Sequence, residues 1–421
     1  MTPSIFISAG EASGEFYGAE LARALSQNPP PKGERAELWG MGGARMAAAG
    51  VECIVRAEDV AVMGFTEVVL HLPRIWREFC KLKRAIRERR PAVAVLIDFP
   101  EIHFRLAREL HRLGIPVIYF VSPQLWAWKQ HRIRLVRQYV KRMLVIFPFE
   151  EKFYRERGVP AEFVGHPLAD LSLPAVSRAD FAAQNDLDPN KTWIGILPGS
   201  RLKEIEANLT EMLEAARSLI QPEPGGAGPA ENYEFLIPLA PTLNAAQRNI
   251  IEKMVNRLGQ PLTVRLLSDF GAEGAVRPTA GGARAALFHA RASVVASGTA
   301  TVEAALIGNP FVVVYRVSPL TYAIARRLVK VPHVAMANLI AGKRVVPELI
   351  QHDFTAENII QHLRRLLPDG PARQSMMKEL GAVREALQVP SAAGQSKESR
   401  AIETVAAIVL GELKAALPAA S

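Results

Sequence analysis

Two short segments in the second half of the chain carry residues suited to binding an anion. In the first, the apolar run 194–197 predicts a buried strand, Gly199 follows it, and a helical apolar pattern begins just after Arg201. A strand, a glycine turn and a helix start present unpaired backbone N–H groups and the positive end of a helix dipole at one point. Ser200 can cap the helix, and the planar guanidinium of Arg201 suits phosphate oxygens. The alternative is an ordinary strand-to-helix turn with a surface arginine.

The second segment repeats this arrangement about a hundred residues later. A predicted strand at 293–296 runs into Ser297, Gly298 and Thr299, and the following helix carries Glu303. Ser, Gly and Thr at a helix start can bind phosphate, and a carboxylate one turn along could accept both ribose hydroxyls of a nucleotide. Two such corners in one half of the chain are more specific than either alone. They predict a nucleotide site formed by Gly199, Ser200, Arg201, Ser297, Gly298, Thr299 and Glu303.

The first half opens with a related loop of different chemistry. A predicted strand at 5–8 leads into Gly10, Glu11, Ser13 and Gly14. The glycine spacing is not the GxGxxG of dinucleotide sites, and the acidic side chains would repel a pyrophosphate. A loop of carboxylates and small residues suits sugar hydroxyls better. The alternative is a closely packed turn with no ligand.

Asp98 ends the predicted strand 93–98 and is the candidate catalytic carboxylate. Ligands of parallel α/β sheets bind at the carboxyl ends of strands, where Asp98 lies. An acid at this position is either a helix cap or a functional group, and we favour function. Asp186-Leu187-Asp188 has a DxD spacing, but the Pro189-Asn190 that follows predicts a turn. No metal site and no cofactor are therefore predicted.

A helical stretch within residues 60–90 has one apolar and one basic face. Such a stripe is either core or a membrane-surface element. The candidate membrane-contact residues are Val69, Leu72, Ile75, Trp76 and Phe79.

Ser122, Trp126 and Trp128 precede a run of cations at 129–142. Aromatic residues among cations could stack on nucleic acid. Here the cations fall on a helix that leads into a predicted strand, so a solvated helix face is favoured. No nucleic-acid partner is predicted.

The alternation of predicted strands and helices indicates parallel sheets covered on both faces. We predict a first domain at 1–168, a second at 169–390 and a helical tail at 391–421. The tail could pack back on the first domain, but the sequence leaves its path open. The 421 residues carry a net charge of +9, which favours an anionic partner without choosing one. Two cysteines without a CxxC pair fit a reducing cytoplasm. The sequence shows no signal-peptide pattern and no apolar run long enough to span a membrane.

Together these motifs resemble the lipid A disaccharide synthase family, inverting glycosyltransferases of the GT-B type. The resemblance runs from residue 4 to about 350 and rests on the motifs Gly10-Glu11-x-Ser13-Gly14, Val62-Met63-Gly64, Asp98 with Pro100, Val121-Ser122-Pro123 with Trp126-Ala127-Trp128, Leu197–Arg201, Ala296–Ala300 with Glu303, and Asn338-Leu339-x-Ala341-Gly342. It implies an α/β fold of two Rossmann-like domains facing a cleft. The family transfers 2,3-diacylglucosamine from UDP to 2,3-diacylglucosamine 1-phosphate (lipid X), without a metal, at the inner face of the cytoplasmic membrane.

The resemblance also implies residue roles. Asp98 matches the family's proposed base, and Arg201, Glu303 and Asn338 match its nucleotide-side residues. Gly10, Glu11, Ser13, Gly14, Ser122, Trp126 and Trp128 fall on the acceptor side. The family often has Asp where this chain has Glu15 and Glu101, which leaves the acceptor contacts open.

Other functions remain as alternatives. Another UDP-sugar enzyme of the same fold, such as a lipid-linked aminosugar transferase or an epimerase, would share the nucleotide motifs. A nucleic-acid-binding protein or a dinucleotide oxidoreductase fits less well. The sequence leaves open whether the chain acts as a monomer or as a homodimer.

Overall fold

The computed structural model describes residues 3–28, 36–60, 65–221, 232–268, 282–328, 331–389 and 400–416. Within these ranges the side chains of 65–72, 320, 324, 325, 327 and 328 are not described. The chain divides into two compact units, one formed by the described parts of Met1–Asp170 and Leu387–Ser421, the other by those of Leu171–Ala386.

The first unit contains a seven-stranded parallel sheet with the order β3-β2-β1-β4-β5-β6-β7. Its strands are β1 Ser4–Ala9, β2 Glu37–Gly42, β3 Glu52–Arg56, β4 Val93–Ile97, β5 Val117–Phe120, β6 Arg142–Val145 and β7 Ala161–Phe163. The second unit contains a six-stranded parallel sheet with the order β10-β9-β8-β11-β12-β13. Its strands are β8 Thr192–Leu197, β9 Tyr233–Pro238, β10 Val264–Leu267, β11 Ala292–Ala296, β12 Phe311–Tyr315 and β13 Glu348–Ile350.

Helices connect these strands. In chain order they are α1 Ala12–Gln27, α2 Ala44–Ala48, α3 Phe65–Arg89, α4 Pro100–Arg112, α5 Ile133–Tyr139, α6 Pro148–Arg155, α7 Arg178–Asn185, α8 Leu202–Ile220, α9 Ala245–Leu258, α10 Ala283–His289, α11 Thr299–Ile307, α12 Pro319–Leu328, α13 Met336–Ala341, α14 Ala356–Leu366, α15 Pro371–Ala386 and α16 Ala401–Ala416. Of the helices in the described part of the chain, none is both long enough and apolar enough to cross a bilayer.

Strand composition follows from burial on both faces of each sheet. All five residues of β4, Val-Ala-Val-Leu-Ile, are fully buried, as expected for a central parallel strand under helices on both sides. In each sheet the strand order reverses beside the first strand, between β1 and β4 in one and between β8 and β11 in the other. Such a switch point opens a crevice at the carboxyl ends of the two strands, where ligands of α/β folds bind.

The predicted alternation of strands and helices is confirmed, and two strands were missed. These are β3 and β13, both at the edges of their sheets. In β3 only one of five residues is buried, and β13 is three residues long and begins with Glu348. A mostly exposed strand such as β3 and a three-residue strand that begins with glutamate both carry little of the apolar signal that reveals central strands.

The tail helix α16 packs on α1 within the first unit. The backbone N–H of Ala401 donates to the Asp170 carboxylate at 2.7 Å, and Lys141 contacts the Glu412 carboxylate at 2.6 Å. Apolar residues of the helix, including Val405 and Val409, are fully buried. Leu387 and the buried residues of α16 thus complete the core of the unit in which the chain begins.

Candidate functional site

Asp98 lies just beyond β4, at the switch point of the first sheet. Asp98 and Phe99 both have left-handed backbone conformations, with φ of 53° and 52°. Non-glycine residues seldom adopt this conformation, at a cost of about 1–3 kcal/mol each, and such strain persists where the surrounding structure enforces it.

Two buried side chains hold this strained turn through the main-chain oxygen of Asp98. The Tyr119 hydroxyl donates to it at 2.6 Å, and Nδ1 of His103 also bonds to it. Nε2 of His103 lies 2.9 Å from the Ser8 hydroxyl. Because a carbonyl only accepts, Nδ1 carries the proton and Ser8 donates to Nε2. Burial lowers the pKa of His103 to about 4, so this ring is a neutral support at physiological pH.

The Asp98 carboxyl group is poised to exchange a proton near neutral pH. Burial raises its pKa to about 7, and the nearby carboxylates of Glu11 and Glu101 add to the effect. A hydrogen bond with the backbone of Phe99 opposes it. A general base works best when its pKa lies close to the operating pH, so this environment suits proton abstraction.

The loop after β1 closes against the Asp98 turn. A Cβ atom on Gly10 would lie 2.2 Å from Cδ1 of Phe99, so only glycine permits this approach. Glu11 precedes α1, Ser13 and Gly14 lie in its first turn, and Gly14 is buried beside the main-chain oxygen of Ile97. The structure therefore brings the predicted acceptor-side loop and the predicted base together.

Ser122 and Trp126, also predicted on the acceptor side, are buried and bonded within the protein. The indole N–H of Trp126 donates to Oε1 of Glu150 at 3.0 Å, and the Ser122 hydroxyl lies 2.8 Å from the Tyr154 hydroxyl. Burial raises the pKa of Glu150 to about 8. These contacts anchor the segment after β5. The sequence prediction missed Glu150 and Tyr154, because the sequence of a short helix does not show that its glutamate and tyrosine are buried.

Trp128 behaves differently from its neighbour Trp126. Its side chain is 43% exposed, and Nζ of Lys129 lies 3.9 Å from the ring centroid. Lys129 has a left-handed backbone, with φ of 50°. The exposed end of the segment therefore carries an aromatic ring and a cation.

At the switch point of the second sheet, the donors of the turn after β8 bind a carboxylate of the chain itself. The Glu204 carboxylate accepts from the backbone N–H of Ser200 at 3.1 Å and from Nη1 of Arg201 at 2.8 Å. Gly199 has φ of 137°, which favours glycine, and a Cβ there would collide with Glu204. The predicted phosphate donors thus converge on one negative group. Sequence reasoning missed Glu204, although its place three residues after Arg201 on a helix start was the available signal.

The turn after the neighbouring strand β11 forms the second corner. Gly298 precedes α11 with φ of 156°, and Thr299 begins that helix. The N–H of Ser297 donates to the main-chain oxygen of Val314 at 2.9 Å, so the donor that Ser297 can offer a phosphate is its hydroxyl. Glu303 lies on α11 within electrostatic reach of Arg284, whose pKa is lowered by burial. The two predicted nucleotide corners therefore follow adjacent strands.

Asn338, predicted on the nucleotide side, is fully buried and saturated with hydrogen bonds. Its amide nitrogen donates to the main-chain oxygen of Val346 and to Oε1 of Glu348, at 3.0 and 2.8 Å. Its oxygen accepts from the N–H groups of Val345 and Val346, at 2.7 and 2.9 Å. An amide offers four such bonds, so Asn338 positions the segment before β13 and has none left for a nucleotide.

The apolar stripe of α3 is divided between core and surface. Phe79 is only 8% exposed and belongs to the core of the first unit, so its prediction as a membrane-contact residue is wrong in this structure. Ile75 packs partly against the same core, whereas Trp76 is 62% exposed. The side chains of Val69 and Leu72, and the motif Val62-Met63-Gly64, lie outside the described residues.

No cluster of three or more His, Cys, Asp or Glu residues with metal-binding geometry occurs in the described ranges. The Asp188 carboxylate instead accepts from the N–H of Asn190 at 2.9 Å, as in a turn, and the Asp186 carboxylate pairs with Arg265 at 3.0 Å.

Comparison with known proteins identifies relatives along nearly the whole chain. The family described as Lipid-A-disaccharide synthetase matches residues 5–402. The chain is 57% identical to the lipid-A-disaccharide synthase of Acidobacterium capsulatum, covering 94% of this chain and 95% of the relative. It is 51% identical to that of Koribacter versatilis over the same shares, and 41% identical to that of Myxococcus xanthus over 94% and 96%.

Solved structures share the fold at low sequence identity. MnaA of S. aureus, solved with UDP, has a TM-score of 0.61 at 13% identity, covering 96% of this chain and 95% of that one. MurG of Acinetobacter baumannii has a TM-score of 0.55 at 16% identity, covering 98% and 100%. These similarities confirm the predicted fold class, α/β with two Rossmann-like domains of the GT-B type.

Proposed function

The chain belongs to the lipid-A-disaccharide synthase family, a family of hexosyltransferases that form the lipid A disaccharide, and we propose the substrates and mechanism by which it acts. The donor is UDP-2,3-diacylglucosamine and the acceptor is lipid X. The products are UDP and the disaccharide 1-phosphate.

The observation that carries the proposal is the environment of Asp98. In the proposed reaction an acceptor hydroxyl attacks the anomeric carbon of the donor, and the bond from that carbon to the UDP oxygen breaks. The hydroxyl proton passes to Asp98, and attack opposite the leaving group inverts the anomeric centre. General-base help of this kind is worth roughly 10²- to 10⁴-fold in rate. A carboxyl group whose pKa is about 7 can accept this proton near neutral pH.

The departing diphosphate requires charge stabilisation, which we assign to the second unit. Arg201 and the turns at Ser200 and Ser297 would supply it without a metal. The bonds from the Ser200 N–H and Arg201 to the Glu204 carboxylate support this assignment, because the same donors already bind an anion. Glu303 would accept the ribose hydroxyls. Asn338 supports the site through the segment that it holds in place.

We further propose that the enzyme works in the cytoplasm, peripherally associated with the inner face of the cytoplasmic membrane. Both proposed substrates are acylated, so they reside in a bilayer. The exposed Trp76 and the cations of α3 would contact that surface.

The reaction itself is the test. Purified protein incubated with UDP-diacylglucosamine and lipid X should release UDP and form the disaccharide, and neither product should appear when lipid X is omitted.

Asp98→Asn should abolish turnover while leaving UDP affinity intact. Arg201→Ala should weaken UDP binding by about 1.5–3 kcal/mol, the scale of a charge-assisted hydrogen bond. Near-normal turnover in Asp98→Asn would overturn the base assignment, and unchanged UDP affinity in Arg201→Ala would overturn the diphosphate assignment.

A further inference from the structure

A small cluster of charged side chains lies beside the Asp98 turn, and its two cations have no part in the mechanism above. Nζ of Lys129 and Nη1 of Arg132 both contact Oε1 of Glu101, at 3.3 and 3.0 Å. Two cations thus share one oxygen of one carboxylate, so this cluster, Glu101 with Lys129 and Arg132, retains a net positive charge. It remains suited to a further anion.

The cations of the cluster are partly ordered by the fold. The side chains of Lys129 and Arg132 are 31% and 22% exposed, well below those of free surface cations. Lys129 lies against the ring of Trp128, and its backbone is held in a left-handed conformation. Strain of this kind in a non-glycine residue gathers at ligand sites. Partial burial also weakens screening by salt, so a bound anion would be attracted more strongly than on an open surface.

The cluster lies within electrostatic reach of the base. Glu101 is in the first turn of α4, three residues after Asp98, and its charge helps to raise the pKa of Asp98. The charge of Arg132 acts on Tyr119, whose hydroxyl binds the main-chain oxygen of Asp98. A molecule whose hydroxyl reaches Asp98 could therefore place a second group at the cluster.

We propose that Lys129 and Arg132 bind the phosphate monoester of the acceptor, while Glu101 holds both cations in place when no acceptor is present. This inference rests on the proposed function. A phosphate monoester carries up to two negative charges and three acceptor oxygens. Arg132 can bind two of those oxygens in a fork, and Lys129 supplies a point charge.

Such a site would let the enzyme distinguish its acceptor from its donor. The proposed donor and acceptor carry the same diacylated sugar and differ only in the group on the anomeric oxygen. A monophosphate site beside the base would recognise the acceptor and orient its hydroxyl. A diphosphate site in the second unit would recognise the donor.

The test compares two acceptors that differ only in the phosphate. With lipid X, Lys129→Ala and Arg132→Ala should each lower kcat/KM about tenfold or more, because each removes a charge-assisted bond. Wild-type enzyme should show a loss at least as large with 2,3-diacylglucosamine that lacks the phosphate, because that acceptor loses its bonds to both cations. With that acceptor the two variants should lose less than about threefold further, because the group that their cations bind is already absent. Equal losses with both acceptors, or unchanged kcat/KM with lipid X, would overturn the site.

Controls separate this proposal from the proposed function. Arg134→Ala removes an exposed cation of α5 beside the cluster and should leave both acceptors unaffected. UDP affinity should be the same in all variants. Binding of glucosamine 1-phosphate, titrated by calorimetry without donor, should weaken in Lys129→Ala and Arg132→Ala but not in Arg134→Ala. If wild-type protein binds glucosamine 1-phosphate in this way but forms no disaccharide, the proposed function fails and the phosphate site stands. If the titration shows equal binding in all four proteins, the phosphate site fails.

Discussion

Asp98 combines three properties that rarely occur together by chance. It directly follows a buried central strand, and its backbone is strained. Burial and two nearby carboxylates raise the pKa of its side chain. The strained backbone and the raised pKa each lower the stability of the folded chain, because a left-handed backbone costs free energy and a buried carboxyl group resists ionisation. Arrangements of this kind are characteristic of functional groups.

The pH dependence of the reaction should follow the ionisation of Asp98. A base must be deprotonated to act, so kcat/KM should rise with pH through about 7. Glu11 is the carboxylate that raises the pKa of Asp98 most, so Glu11→Gln should lower that pKa and move the acidic limb of the profile to lower pH. A pH–rate series for both proteins measures the shift. Glu20→Gln, a change at a partly exposed residue of α1, the helix that follows Glu11, should leave the profile in place. A limb that stays fixed or moves to higher pH in Glu11→Gln would contradict this origin.

At the scale of elements, buried polar side chains hold the segments that follow β4 and β5 in place. His103 and Tyr119 hold the Asp98 turn, and Glu150 and Tyr154 hold the segment that contains Ser122 and Trp126. Such segments lack the repeating hydrogen bonds of helices and strands, so buried side chains must supply their partners. The cost is a set of ionisable groups taken out of water.

Glu150 should therefore make stability depend on pH. Its pKa is raised to about 8 in the folded chain, above its ordinary value of 4.5. Between those values the folded state binds more protons than the unfolded state, so the free energy of unfolding should fall as pH rises from about 4.5 to about 8. Glu150→Gln keeps a neutral group of the same shape, and the fall should be smaller. Denaturant titrations at pH 5 and pH 8.5 measure it.

Glu150→Ala provides the complementary measurement. It leaves the buried Trp126 indole N–H without its acceptor, so the free energy of unfolding should drop by about 1–3 kcal/mol at neutral pH. The exposed change Glu156→Gln serves as the matched control and should alter neither stability nor its pH dependence. An alanine variant as stable as wild type would show that Glu150 does not anchor the segment.

At the scale of the whole molecule, both units use the same arrangement for different tasks. Each places its candidate ligand groups where the strand order of a parallel sheet reverses. The first unit offers carboxylates and the second offers anion-binding turns. Helix α16 belongs to the first unit, so all residues of the second unit lie between two parts of the first in the sequence.

Trp76 is an exposed side chain of the proposed membrane contact. Trp76→Ser should lower partitioning onto vesicles containing anionic lipid about tenfold or more, because burial of a large apolar side chain contributes about 1.5–3 kcal/mol. Co-sedimentation measures the partitioning, and the melting temperature should stay unchanged because Trp76 is exposed. Met377→Ser, at an exposed site in the second unit, is the control. Equal partitioning of all three proteins would exclude Trp76 from the contact.

The sequence by itself determined the central strands, the glycine turns and the acid at the end of β4. These features depend on local patterns, since a buried parallel strand must be apolar along its whole length and a sharp turn after it favours glycine. The order of these segments along the chain also carried the family resemblance that the comparisons confirm.

Only the tertiary structure decided which side chains of the predicted sites are buried. Ser122, Trp126, Phe79 and Asn338 stand in motifs that suggested contact with substrates or membrane, yet each is buried. Ser122 and Trp126 bond to Tyr154 and Glu150 on a helix further along the chain. The Glu101 cluster and the return of α16 likewise join residues that no local spacing connects. Burial and charge pairing depend on which segments meet in space, and that is settled by packing of the whole unit rather than by periodicity along the chain.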